Sequence, residues 1–234
     1  MKRLAIFVEG QTEKIFVRKL LEEIAGKNNI AIEDRDLSLG NKVARITVLR
    51  MSDIVTNQTR YYVLIYNSGN DSRVASDIRD QYQSLVSSGY EKIIGLRDLY
   101  PIPISDKTTL ESTLKKVLPS GEIPVCIVLA IMEVEAWFLA EWNHFLGVDA
   151  RLTTDFIRDN LGFNPAIDDM ESRPHPAEDL HHIYQLVGRA YRKQRNQVDT
   201  VVANLDYEFL YLKLVDRVPS LGKFIQYIDE FMAS

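Results

Sequence analysis

Cysteine is almost missing from this chain. Its 234 residues hold one, Cys126, inside the apolar run PVCIVLAI. One cysteine permits no intramolecular disulfide, and in such a run it reads as a small buried hydrophobe. No stretch of 18 apolar residues occurs, so no membrane-spanning helix is expected. Neither the Walker nor the dinucleotide-binding glycine pattern is present. The histidines, His144, His175, His181 and His182, have no spacing that suits zinc. No basic excess exists either: 28 basic residues face 33 acidic ones, a net charge of −5 with histidine neutral. A nucleic-acid role would therefore need a local basic patch, or metal ions that recruit phosphates. The opening MKRLAIFVEG has an apolar run only from Leu4 to Val8 before Glu9. That is shorter than the roughly 7 residues a signal peptide needs, so a cytoplasmic location is expected.

What is present is ordinary folded-protein composition, 46% hydrophobic and 26% charged. The length suits one large domain, or one with an elaboration, and a core that takes roughly 70% of the unfolded surface out of water. Internal repeats and low-complexity segments are absent.

The patterning alternates strands with helices. RLAIFV (3–8) reads as a short buried strand that stops at Glu9-Gly10. A helix capped by Thr12 follows, with Val17, Leu20, Leu21 and Ile24 on one face. Strands are expected at 44–50, 61–66, 92–97 and 124–131, and helices at 73–87 and 107–118. EVEAWFLAEWNHFL reads as one helix reaching Leu146. Helices are expected again at 151–162, 178–192, 197–213 and 221–232, and the proline-containing stretch 163–177 as an irregular loop. The expected fold class is α/β, a mostly parallel sheet flanked by helices. Residues 1–148 would form this core, and 149–234 a mainly helical elaboration packed on it.

Acidic residues fall where an open parallel sheet binds ligands, outside the carboxyl ends of its strands. Glu9 follows the first strand, Asp98 a later one, and Glu133 and Glu135 another. A cluster of carboxylates persists only if protons or cations neutralise it. All-oxygen ligands suit Mg²⁺ or Mn²⁺. The plainer reading of each acid by itself is a solvated loop residue or a helix cap.

VEGQTEKIF (8–16) resembles the opening motif of the Toprim superfamily, to which topoisomerases, bacterial primases and overcoming-lysogenization-defect (OLD) nucleases belong. IIGLRDLYP (93–101) stands where that superfamily has its Asp-x-Asp motif. More closely, the chain resembles an uncharacterised bacterial Toprim-like family with VEGxTE, a strand ending in Asp-Leu-Tyr, a Glu-x-Glu-Ala segment and a later lysine within a helix. Here these are Glu9 and Glu13, Asp98-Leu99-Tyr100, Glu133-Val134-Glu135-Ala136, and Lys193 in AYRKQR. The resemblance spreads over most of residues 3–195. It implies a Toprim-like fold and a divalent-metal-dependent nuclease hydrolysing DNA or RNA, with a separate ATPase protein as partner in phage defence.

The resemblance also implies roles. Glu9 would be the principal metal ligand or a general acid/base, Asp98 the second ligand, and Glu133 and Glu135 would complete a second position. Two residues apart, those glutamates point roughly 200° apart in a helix, so both can serve only if the helix starts after Glu133. Glu13, one turn into the first helix, would be accessory, or simply well placed at a helix N-terminus. Tyr100 replaces the second aspartate of the superfamily motif and is a poor Mg²⁺ ligand, its phenol having an ordinary pKa near 10. That departure, together with the negative net charge, favours the alternative of a non-catalytic Toprim-fold binding subunit. A small-molecule phosphohydrolase is a third reading. Arg189, Arg192 and Lys193 fall at i, i+3, i+4, with Arg195 next, and would form a phosphate-holding face in which Lys193 steadies transition-state charge. Their plainer reading is a solvated basic face. Arg97 is a further basic candidate, or only a partner for Asp98.

Overall fold

In a computed structural model, residues 1–39 and 45–233 are described. Six strands form one sheet in the order β3-β2-β4-β1-β5-β6: β1 (Lys2–Val8), β2 (Ile30–Leu39), β3 (Arg45–Ser52), β4 (Tyr61–Asn67), β5 (Lys92–Asp98) and β6 (Val125–Ala130). The central pairings β1–β4, β1–β5 and β2–β4 are parallel, and β2–β3 is antiparallel. The α/β class and the mostly parallel sheet are as expected.

The helices are α1 (Gln11–Ala25), α2 (Val74–Ser87), α3 (Lys107–Val117), α4 (Glu135–Ala140), α5 (Asn143–Val148), α6 (Thr154–Leu161), α7 (Pro176–Gln185), α8 (Arg195–Asn204), α9 (Tyr207–Leu212) and α10 (Pro219–Ala233). Among the described residues, no helix is long and apolar enough to cross a membrane.

The chain divides into two compact units, one holding residues 1–97, 105–129 and 226–234, the other 98–104 and 130–225. This division differs from an expected boundary at 148. Helices α4 and α5 belong with the C-terminal helices, and the last turns of α10 belong to the unit built on the sheet. Lys92 shows how: its Nζ donates to the carbonyl of Tyr227 (2.9 Å) and to Glu230 Oε2 (2.8 Å).

In the first unit, the buried runs of β1 and β4 carry side chains packed on both faces, as the centre of a parallel sheet requires. On one face Ala5, Phe7, Leu64 and Tyr66 meet Val74, Ile78, Tyr82 and Leu85 of α2, and the rings of Phe7 and Tyr66 stack at 4.7 Å. Gly95 permits this closeness. A Cβ there would come within 3.0 Å of Ile78 and 3.1 Å of Ile127.

Some elements depart from expectation. Strand β2 was not expected. Its sequence, IAIEDRDLSL, buries Glu33 and Asp34 among its apolar residues, which blurs the alternation. The strand expected at 44–50 is β3, and residue 44 lies outside the described residues. The expected helix through Leu146 breaks between α4 and α5, because the side chain of buried Glu141 accepts from the backbone N–H groups of Asn143 and His144. The expected helix 197–213 is two, α8 and α9, the second capped by Asp206, which accepts from Phe209 N–H.

The second unit is held by a buried polar chain. Trp137 Nε1 donates to Ser220 Oγ (2.7 Å), and Ser220 Oγ–H donates to Glu171 Oε1. Trp137 also packs on Phe224 with ring centroids 5.9 Å apart.

Candidate metal centre

Asp98 ends β5, and its Oδ1 accepts the backbone N–H of Val134 at 2.9 Å. The segment after it is tied to the chain beyond β6: Leu99 N–H donates to the Ala130 carbonyl (2.9 Å), and Tyr100 N–H to the Met132 carbonyl (2.8 Å). A cis peptide joins Tyr100 to Pro101. Asp98 and the 133–135 segment are thus brought together by backbone pairing.

Helix α4 begins at Glu135, with Val134 as its N-cap, so Glu133 lies outside the helix. This meets the condition under which both glutamates can serve one site. The carboxylates of Asp98, Glu133 and Glu135 each offer an oxygen within 4.8 Å of the others. Asp98 and Glu135 are buried and Glu133 is half-buried. This acidic triad could hold a metal ion.

Each carboxylate is oriented by a donor. Glu133 Oε2 accepts Ala177 N–H (2.9 Å), near the start of α7, and Glu135 Oε1 accepts the Tyr191 hydroxyl (2.7 Å). Lys193 Nζ lies 3.0 Å from Glu133 Oε1 and 3.0 Å from Glu135 Oε2. Burial raises the Glu135 carboxyl above its ordinary pKa, Glu133 adds to the rise, and Lys193 and Tyr191 oppose it. Burial alone would lower the Lys193 ammonium, but Glu135, Glu133 and Asp98 outweigh it and hold its pKa above the ordinary value.

The donor set fits a hard divalent cation. Three carboxyl groups gather against one ammonium, all the candidate ligand atoms are oxygen, and two of the acids are desolvated.

The other expected acids are not among the three gathered carboxylates. Glu9 follows β1 in the first unit and is not one of the gathered carboxylates. Two of the three expected stretches meet in the triad. Glu13 is buried and its Oε2 accepts Gly10 N–H (2.9 Å), so it serves the start of α1. Tyr100 is exposed, with its ring edge-on to His175. Arg97 is 5% exposed at the end of β5, too buried to offer a surface contact.

The basic residues do not form a helix face. Helix α7 ends at Gln185 and α8 begins at Arg195, so Arg189, Arg192 and Lys193 lie in the connection between them. The backbone N–H of Arg192 donates to Gln197 Oε1 (2.6 Å), and Arg195 Nε is 3.8 Å from Asp199 Oδ2. Lys193 has a left-handed backbone, φ 54, which no helical lysine has.

Sequence reasoning gave Tyr191 no role of its own. Its signal was only an aromatic residue two positions before the lysine. Beside the triad, a cavity of about 470 Å³ is lined by Ala177, His181, Tyr191 and Lys193. His181 Nδ1 accepts Tyr191 N–H (3.1 Å), which leaves its Nε2 as the protonated nitrogen of the neutral ring.

The family described as a domain of unknown function (DUF4276) has a model that matches residues 8–228, and the chain belongs to that family. None of the curated proteins and none of the solved structures compared with the chain matches it.

Proposed function

We propose that this protein is a divalent-metal-dependent phosphodiester hydrolase acting on DNA or RNA, a Toprim-like nuclease related to those of the OLD kind. The observation that carries the reading is the meeting of Asp98, Glu133 and Glu135 with Lys193. Asp98, Glu133 and Glu135 would hold Mg²⁺ or Mn²⁺, which supplies polarisation of a phosphoryl oxygen and an acidified water. Val134 N–H, Ala177 N–H and the Tyr191 hydroxyl fix the three carboxylates, so that little reorganisation accompanies binding. Lys193, 40% exposed, can turn from the glutamates toward a phosphate oxygen and hold the charge that grows on it. A separate ATPase protein would complete the setting in phage defence.

A second reading, a non-catalytic binding subunit, draws on one observation. Lys193 already neutralises part of the cluster, so the triad can persist without a metal.

The deciding experiment is cleavage of single- and double-stranded DNA and RNA with Mn²⁺, Mg²⁺ or chelator, comparing wild type with Asp98→Asn, Glu133→Gln and Glu9→Gln. The nuclease reading expects metal-dependent cleavage that falls at least about 100-fold in the first two variants. Cleavage that persists in both, or that ignores chelation, would refute it. Metal binding with no cleavage would favour the binding subunit, and the Glu9 variant decides whether that residue belongs to the site.

A further inference from the structure

A second cavity, of about 320 Å³, lies wholly within the first unit. It sits between the C-terminal end of α2 and one face of β1, β4 and β2, where the parallel register sets Arg3 beside Tyr62 and Arg35 beside Tyr66. Leu64 and Leu85 supply apolar wall, and Tyr62, Tyr66 and Tyr90 supply phenol rings.

Its polar groups are unequally used. Arg35 and Tyr62 are spent on Glu33 behind them, whose Oε1 accepts from Arg35 Nε and Oε2 from the Tyr62 hydroxyl. Arg35 is therefore neutralised. Arg3 makes no ion pair with the described residues. Its Nη1 donates to the Ser88 carbonyl (2.7 Å), and its guanidinium lies 5.8 Å from the centre of the Tyr62 ring. Four guanidinium N–H donors and the positive charge are left over.

Tyr90 is 7% exposed, and its hydroxyl has no hydrogen-bond partner among the described residues. Tyr90 lines the cavity, so its hydroxyl can bond to a group that enters there.

We infer that this cavity binds a small planar anion, an aromatic or heteroaromatic ring carrying one phosphate or carboxylate. Arg3 takes the anionic group, Tyr90 bonds the polar edge of the ring, and the leucines and tyrosines enclose its body. The volume suits one such molecule. The apolar wall selects against a bare inorganic ion, which would leave Leu64 and Leu85 facing its hydration shell. The site is separate from the acidic triad, and its test is independent of any nuclease activity.

The test is calorimetric titration of the full chain with AMP and with 4-hydroxybenzoate, ring-bearing anions of the two kinds. Adenosine serves as the ring without charge and inorganic phosphate as the charge without ring. The proposal expects saturable binding of at least one ring-bearing anion, with adenosine and phosphate at least tenfold weaker. Arg3→Met should weaken that binding about tenfold, and Tyr90→Phe, which removes only the hydroxyl, about threefold to tenfold. Failure of both ring-bearing anions to bind, phosphate binding as tightly as AMP, or affinities unchanged in both variants would overturn it.

Discussion

The ammonium of Lys193 stands 3.0 Å from Glu135 Oε2, and the carboxylate it neutralises is completely buried. The lysine reaches in from a side chain that is 40% exposed, so one end of the pair is wet and the other dry. The pair is therefore open to exchange: what Lys193 does for the triad, an entering cation can do instead.

Metal binding should appear as stability. At 100 times its dissociation constant, Mn²⁺ should add about 2.7 kcal/mol to the unfolding free energy of wild type. Asp98→Asn and Glu133→Gln keep acceptors for Val134 and Ala177 N–H but remove charge, and should lose most of that gain. Thermal denaturation with and without metal measures it, and an equal gain in both variants would place the ion elsewhere.

Lys193→Met should destabilise the metal-free protein by roughly 1–2 kcal/mol. That is less than the 3–5 kcal/mol of a fully buried pair, because water reaches the ammonium. Saturating Mn²⁺ should narrow the difference, since it supplies the missing positive charge. Urea denaturation in the two conditions tests this, and a loss that metal leaves untouched would make the lysine's role one of packing.

The same lysine predicts an alkaline limit. Despite burial, Glu135, Glu133 and Asp98 hold its folded pKa above the unfolded 10.5. The stability it contributes is complete below pH 10.5 and is lost as the pH rises through the folded value. The difference between wild type and Lys193→Met should therefore shrink above that pH. A constant difference at all pH values would contradict it.

Tyr191→Phe leaves Glu135 Oε1 buried without its 2.7 Å donor. The expected cost is about 1–3 kcal/mol. Metal affinity should fall by about 10–100-fold, as when an orienting partner of a ligand is removed. Denaturation and calorimetric metal titration read the two effects separately.

Ser220→Ala removes the hydroxyl that accepts from the Trp137 indole N–H and donates to Glu171 in one step. The expected loss is about 1–3 kcal/mol, with changed tryptophan fluorescence, and no change in metal affinity because the groups that orient the triad are Val134, Ala177, Tyr191 and Lys193.

Much of this molecule was legible from the residues alone. Apolar runs such as RLAIFV and YYVLIY have no competing periodicity, and β1 and β4 fall on them within a residue or so. Strand β2 was hidden because Glu33 and Asp34 are spent on partners distant in sequence, Tyr62 and Arg18. The meeting of Asp98 with Glu133 and Glu135 followed from their places after strand ends. Lys193 was found by resemblance but set on a helix, since spacing of i, i+3, i+4 is equally compatible with a loop. Tyr191 read only as an aromatic interleaved with the basic residues, because a buried tyrosine's partner, here Glu135, is a tertiary fact.

Met132 and Lys193 are the non-glycine residues with left-handed backbone among the described residues, at φ 59 and 54. One precedes Glu133 directly and the other delivers the ammonium. Each conformation costs a side-chain-bearing residue about 1 kcal/mol or more, and a glycine would adopt it freely. Engineering for robustness by relaxing these two positions would thus work against the chemistry. Lys193→Gly would ease the chain and remove the charge in one stroke, so gains in durability should be sought away from this corner of the molecule.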